Sequence, residues 1–94
     1  MRVRYTLRAQ ADLQAIFTYL DQHSPRRAPV VRAEIRRRVD QLGAFPLMAP
    51  ATDEPGVREL TLARYPYKIY YEIQTDEVWV LHVRDARRRP WDYR

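Results

Sequence analysis

The chain predicts an α+β fold in which an antiparallel helical hairpin packs on a small, largely antiparallel sheet, in the order β-α-α-β-β-β. Three observations lead there. Residues 7 to 42 carry two apolar stripes at helical spacing, interrupted by HSPRRAP; residues 57 to 83 carry three strand-like runs; and a proline-rich segment without periodicity, FPLMAPATDEPG, separates the two regions.

Residues 1 to 6 contain the short alternating run RVRYT and predict a first strand. Ala9, Leu13, Ile16, Phe17 and Leu20 then recur on one helical face, with Asp12, Gln14 and Asp21 on the others, so a helix is expected from about residue 7 to 22. Ser24 followed by Pro25 reads as the start of a second helix, because serine caps free amides and proline needs no amide there. Val31, Ile35, Val39 and Leu42 form its buried stripe, and Gly43 and Pro46 are expected to end it. Glu34 and Arg38, four apart in the favourable order, should pair on the outer face. The two helices, residues 7 to 43, should form a hairpin.

Residues 44 to 56 are a connector, and residues 57 to 83 a three-stranded meander. In YKIYYEI, Tyr67, Ile69, Tyr71 and Ile73 share one face, and Lys68, Tyr70 and Glu72 the other. VWVLHV, residues 78 to 83, is apolar on both faces and belongs in the middle of the sheet. Gln74, Thr75 and Asp76 make the tight connection before it. Residues 84 to 94 form a basic tail, and the whole of 1 to 94 is expected to be one domain.

Composition removes several functional classes. There is no cysteine, so neither a disulfide framework nor a thiolate metal site is available. His23 and His82 have no carboxylates at ligand spacing, and Gly43 and Gly56 are isolated rather than part of a phosphate-cradling loop. No metal and no cofactor are expected. The N-terminus MRVRYTLRAQ lacks the apolar core of a signal peptide and no run could span a bilayer, so a cytoplasmic protein with no membrane partner is expected.

The net charge of +5 is unevenly spread. Residues 24 to 42 carry six arginines against two acids, and residues 84 to 94 carry five against two, so everything else is net negative. Sixteen of the seventeen cations are arginine, whose planar fork grips carboxylates and phosphates in a way ammonium does not. An acidic partner follows, either nucleic acid or an acidic protein segment.

RNA cleavage through a 2′-hydroxyl needs only a base, an acid and cations for the charge building on phosphorus. Lys68, His82, Arg84, Arg87, Arg88 and Tyr93 are the candidates for those roles. Each has a plainer reading: Lys68 as the solvent-facing member of an alternating strand, His82 as a structural hydrogen-bonder, and Tyr65, Tyr67, Tyr70 and Tyr71 as packing aromatics. The arginines after the last strand repel one another, a cost that a ligand or acidic partner would offset.

YTLRAQADLQAIFTYL at 5 to 20, VRELTLARYPYKIYYEI at 57 to 73 and VWVLHVRDARRRP at 78 to 90 together resemble the RelE/ParE family of toxins from bacterial type II toxin-antitoxin modules. The resemblance implies the small α+β sandwich of microbial ribonuclease type, and a toxin that arrests growth when free. It also implies a hetero-oligomer with a cognate antitoxin, whose C-terminal segment covers the toxin. Arg32, Arg36 and Arg84 are the residues expected to meet that antitoxin. ParE-like members inhibit DNA gyrase, and RelE-like members cut messenger RNA on the ribosome. The ADLxxIxxYL segment and the paired helices are more similar to the ParE side, with Arg84, Arg87, Arg88 and Arg89 as the expected target-binding cations. On the RelE side, Lys68, Arg87 and Tyr93 would be the catalytic set of a metal-independent endoribonuclease. A stand-alone nucleic-acid-binding module is the third alternative.

Overall fold

The structure is a computed structural model describing residues 1 to 87. Four strands and two helices follow the order β1 (Arg2–Tyr5), α1 (Leu7–His23), α2 (Ala28–Ala44), β2 (Val57–Thr61), β3 (Tyr67–Gln74) and β4 (Glu77–Asp85). The sheet order is β1-β4-β3-β2, with β4 parallel to β1 and antiparallel to β3, so the strand lacking a polar face does sit inside the sheet. Val78 and Val80, on the helix-facing side of this strand, are fully buried, whereas Trp79 and Leu81 are half-buried.

Both helices cover one face. Val31, Ile35, Val39 and Leu42 of α2 and Ala9 and Leu20 of α1 meet Ile69, Tyr71, Val78, Val80 and Val83, forming a single apolar core. Each fully buried side chain of this size contributes about 1.5–3 kcal/mol. Helix α1 lies chiefly against β4, and α2 chiefly against β1.

Thr6 joins strand to helix. Its amide donates to Val80 O at 3.0 Å, as a continuing ladder residue would, while its hydroxyl accepts from the Ala9 amide at 3.0 Å and so caps α1. The same hydroxyl donates to Leu81 O at 3.0 Å.

Three local expectations are corrected. Ser24 is the C-cap of α1, its amide donating to Leu20 O, and α2 begins only at Ala28 with Pro29 in its first turn. The backbone needs residues 24 to 27 to reverse direction, with Arg27 and Ala28 amides both donating to Ser24 O, so the Ser-Pro pair serves the turn. Glu34 pairs with Arg37, three residues on, at 2.7 and 3.0 Å, because Arg38 instead reaches Gln41 at 3.1 Å. Gly43 does not end α2, which runs on to Ala44; it is buried, and a Cβ there would lie 2.7 Å from Met1 O. It is the backbone crossing of α2 and the chain start, where the Met1 ammonium donates to Gly43 O at 2.7 Å.

The connector is anchored rather than loose. Tyr71 donates its hydroxyl to Pro46 O at 2.7 Å, Arg58 donates to Ala49 O at 2.7 Å, and Ala51 bridges Arg58 against the outer edge of β2.

Candidate functional site

Alternation along β3 and β4 places a polar cluster on the sheet face opposite the helices. Glu59, Lys68, Tyr70, His82 and Arg84 come together there, since Glu59 stands opposite Tyr70, Lys68 opposite Arg84, and Tyr70 opposite His82. Leu81 is an extra residue on β4, because the register steps from Tyr70 with His82 to Tyr71 with Val80. This bulge lets Val83 and Val80 both face the core although they stand three positions apart.

Lys68 is not a lone surface cation. Its ammonium lies 2.5 Å from the Glu59 carboxylate, and both side chains are about three-quarters buried. Arg84 is half-buried, donates through Nε to the Tyr70 hydroxyl at 2.9 Å, and lies against the Tyr70 ring. Arg87 is exposed and gripped bidentately by Asp85, at 3.0 and 2.7 Å, which raises its already high pKa through hydrogen bonding and charge. Arg88, Arg89 and Tyr93 lie outside the described residues.

His82 is buried, at 5% exposure, and its Nδ1 stands 2.6 Å from the Asp12 carboxylate of α1. Burial pushes the imidazole pKa below its ordinary value against the opposing pull of Asp12, so the ring is neutral at pH 7. A carboxylate only accepts, so Nδ1 carries the proton. The same Asp12 oxygen accepts the Val83 amide at 3.1 Å, and the other accepts from Arg8 at 3.0 Å.

Asp12 is the residue that sequence reasoning left on an outer face. Strand β1 pairs with β4 only as far as Val80, so the next amides on that side of β4 need another acceptor. Helix α1 supplies it through Asp12, nearly two turns past the Thr6 cap. A lone acid beside an apolar helical stripe was the signal, and its use became legible only once β1 was known to be short.

A second feature lies between the helices. A groove of about 460 Å³ has Tyr5, Leu13 and Phe17 in its floor and Gln10, Gln14, Thr18, Asp21 and Arg32 around it. Arg32 lies over Phe17, its Cζ 4.6 Å from the ring centroid, and donates to Asp21 at 2.6 Å. Arg36 is exposed one turn further along α2, where its charge and that of Asp40 both reach the Tyr5 phenol. Burial raises the Tyr5 pKa most, and Asp40 raises it further. Arg32 and Arg36 are therefore brought to one side of the molecule, and Arg84 to the opposite sheet face.

Among the described residues, no group of histidines and acids is arranged to hold a metal ion. No described helix is long and apolar enough to cross a membrane.

Comparison with known proteins agrees with this architecture. Residues 3–90 match the family model described as the ParE toxin of the type II toxin-antitoxin system parDE. The chain is 39% identical over 92 residues to Y4kP of Sinorhizobium fredii, covering 94% of this chain and 91% of that protein. It is 34% identical over 90 residues to toxin RelE2 of Caulobacter vibrioides, covering 93% and 97%. Among solved structures, the chromosomal ParDE toxin-antitoxin system from P. aeruginosa superposes with a TM-score of 0.77 at 29% identity, over 88% of this chain and 92% of that one. A chain of the intact E. coli RelBE complex superposes with a TM-score of 0.67 at 18% identity over 93% and 98%, a likeness of fold. With a family match spanning nearly the full length and relatives above 30% identity, this chain belongs to the ParE/RelE family of toxins of type II toxin-antitoxin systems.

Proposed function

We propose that the free protein arrests growth by inhibiting DNA gyrase, meeting it with Arg84, Arg87, Arg88 and Arg89, and that a cognate antitoxin silences it as a hetero-oligomer. The observation that carries the choice of gyrase over RNA cleavage is the Lys68–Glu59 pair. A scissile phosphate approaching Lys68 would meet the Glu59 carboxylate, and one approaching Arg87 would meet Asp85, so each described cation of the ribonuclease set is already matched by an acid. His82, buried on Asp12, is poorly placed to exchange protons with a bound RNA. Inhibiting a protein target asks only for shape and charge.

For the antitoxin, the helical groove supports an amphipathic segment with apolar side chains over Leu13 and Phe17 and an acid that replaces Asp21 on Arg32. Further acids would reach Arg36, and a segment long enough to wrap the sheet would reach Arg84.

Purified toxin added to a gyrase supercoiling assay and, separately, to programmed ribosomes tests the assignment. Supercoiling should be inhibited with wild-type potency retained by Lys68→Met, and message should stay intact. Cut message that disappears with Lys68→Met or Arg87→Ala would instead make the protein a ribosome-dependent endoribonuclease.

A further inference from the structure

We infer that Asp12, on the helical side of the molecule, is a positioning residue for Arg84 on the opposite sheet face, acting through His82 and Tyr70. The inference rests on the reading that Arg84 belongs to the target-facing rim.

The links are all geometric. Asp12 accepts from His82 at 2.6 Å, which fixes the plane of a ring that burial already confines. That ring stacks on Tyr70, with centroids 5.8 Å apart and planes 17° from parallel. Tyr70 is itself buried, at 3% exposure, and its hydroxyl accepts from Arg84 Nε at 2.9 Å. An arginine side chain loses rotamer entropy on ordering, so a guanidinium held at Nε in advance has less left to lose when it meets its target. Arg84 also donates to Asp85 O at 3.3 Å. Lys68, directly opposite on β3, is occupied by Glu59 and does not contest the Tyr70 oxygen.

Asp12 has a structural duty as well, since it accepts the Val83 amide. The test must therefore separate the two. Potency is measured per folded molecule, both in gyrase supercoiling and as growth arrest at fixed expression, with the folded fraction read by circular dichroism. Asp12→Ala should lower potency about tenfold, a coupling typical of residues in one network. Asp12→Asn, which keeps an oxygen facing His82, should recover most of it. His82→Phe keeps a stacking ring and leaves Asp12 on Val83, so it cuts the relay without opening the strand edge; it should lose potency as Asp12→Ala does. Tyr70→Phe, lacking only the acceptor oxygen, should do the same. In an Arg84→Ala background all of these losses should vanish to within about twofold.

Full potency in Arg84→Ala would remove Arg84 from the rim and overturn the inference together with that part of the functional reading. Reduced potency in Arg84→Ala with full potency in His82→Phe and Tyr70→Phe would overturn the relay and leave the functional reading standing. Losses that persist undiminished in the Arg84→Ala background would show a structural role and overturn the relay as well. If the wild type arrests growth without touching gyrase, the target assignment fails while the growth-arrest cycle still decides the relay.

Discussion

Gly43→Ala should destabilise the protein, although alanine is the better helix former. In an ordinary helix interior the substitution would gain about 1 kcal/mol. At this crossing the added Cβ would lie 2.7 Å from the Met1 carbonyl oxygen and 3.2 Å from Val3 Cγ2. Ordinary contact begins near 3.4 Å, so the oxygen must retreat by 0.7 Å (3.4 − 2.7) and Val3 by 0.2 Å (3.4 − 3.2). Val3 is held in the β1 ladder opposite Val78, so β1 moves with it or strains. Overpacking of this kind costs about 1–3 kcal/mol. Moving Met1 also endangers the hydrogen bond from its ammonium to Gly43 O, and bonds to charged groups contribute about 1.5–3 kcal/mol. The balance is a net loss of about 1–3 kcal/mol, with the propensity gain outweighed. For a domain of this size that lowers the melting midpoint by roughly 4 to 20 °C. Thermal unfolding followed by circular dichroism reads it directly, and a midpoint equal to or above wild type would refute the close-crossing account. Gly56→Ala is the contrasting control: nothing lies within 4 Å of its Cβ, but φ is +81°, so it should lose about 1 kcal/mol through backbone strain alone.

His82 makes stability depend on pH. Its pKa is depressed by folding, so the unfolded chain binds the proton more tightly; the contribution is full above about pH 6.5 and is lost as pH falls through the lower folded value. Urea midpoints should therefore drop from pH 7.5 to pH 5.5, and His82→Phe should flatten that slope; an unchanged slope would mean other groups carry it. Tyr71→Phe removes the bond to Pro46 O and should cost about 1–2 kcal/mol, read as a lower urea midpoint at constant m-value. Glu59→Gln, which breaks a partly buried pair, should cost about 1 kcal/mol or less and leave growth arrest intact. Arg32→Glu should weaken antitoxin binding, measured by calorimetry, by at least about tenfold while shifting the melting midpoint little, since Asp21 and Arg32 are both exposed.

The elements that sequence foretold well are those whose burial is set by period alone. The α2 stripe of Val31, Ile35, Val39 and Leu42 and the two-sided apolar run of β4 lie within a residue or two of where alternation and helical spacing put them. What escaped depended on a partner distant in sequence. Gly43 looked like a helix stop because nothing local shows that Met1 crosses it. Ser24 looked like a helix start because a cap at either end uses the same residue type, and only the path of the turn decides. Tyr70 was expected on the polar face and is there, yet it is buried, a fact alternation cannot supply.

The candidate site divides the same way. The sequence named Lys68 and Arg84 only as separate candidate cations; strand pairing makes them neighbours, and the meaning of Lys68 turns on Glu59, which stands in a different strand and was read only as part of an alternating run. A cation cluster without its acids suggests phosphate chemistry; in the same cluster Glu59 is paired with Lys68 and Asp85 with Arg87 within the fold. Paired in this way, the cations are held in fixed directions while their long-range pull on a polyanion is reduced, since each acid cancels its partner's field within a Debye length. Directional recognition of a folded surface survives that cancellation, because hydrogen-bond geometry at a desolvated contact does not depend on net charge, whereas attraction of a nucleic acid backbone does. Binding of this protein to its target should accordingly persist as salt is raised from about 50 to 200 mM. A loss of a hundredfold or more in target affinity over that range, measured by surface plasmon resonance, would mark the cations as phosphate contacts after all.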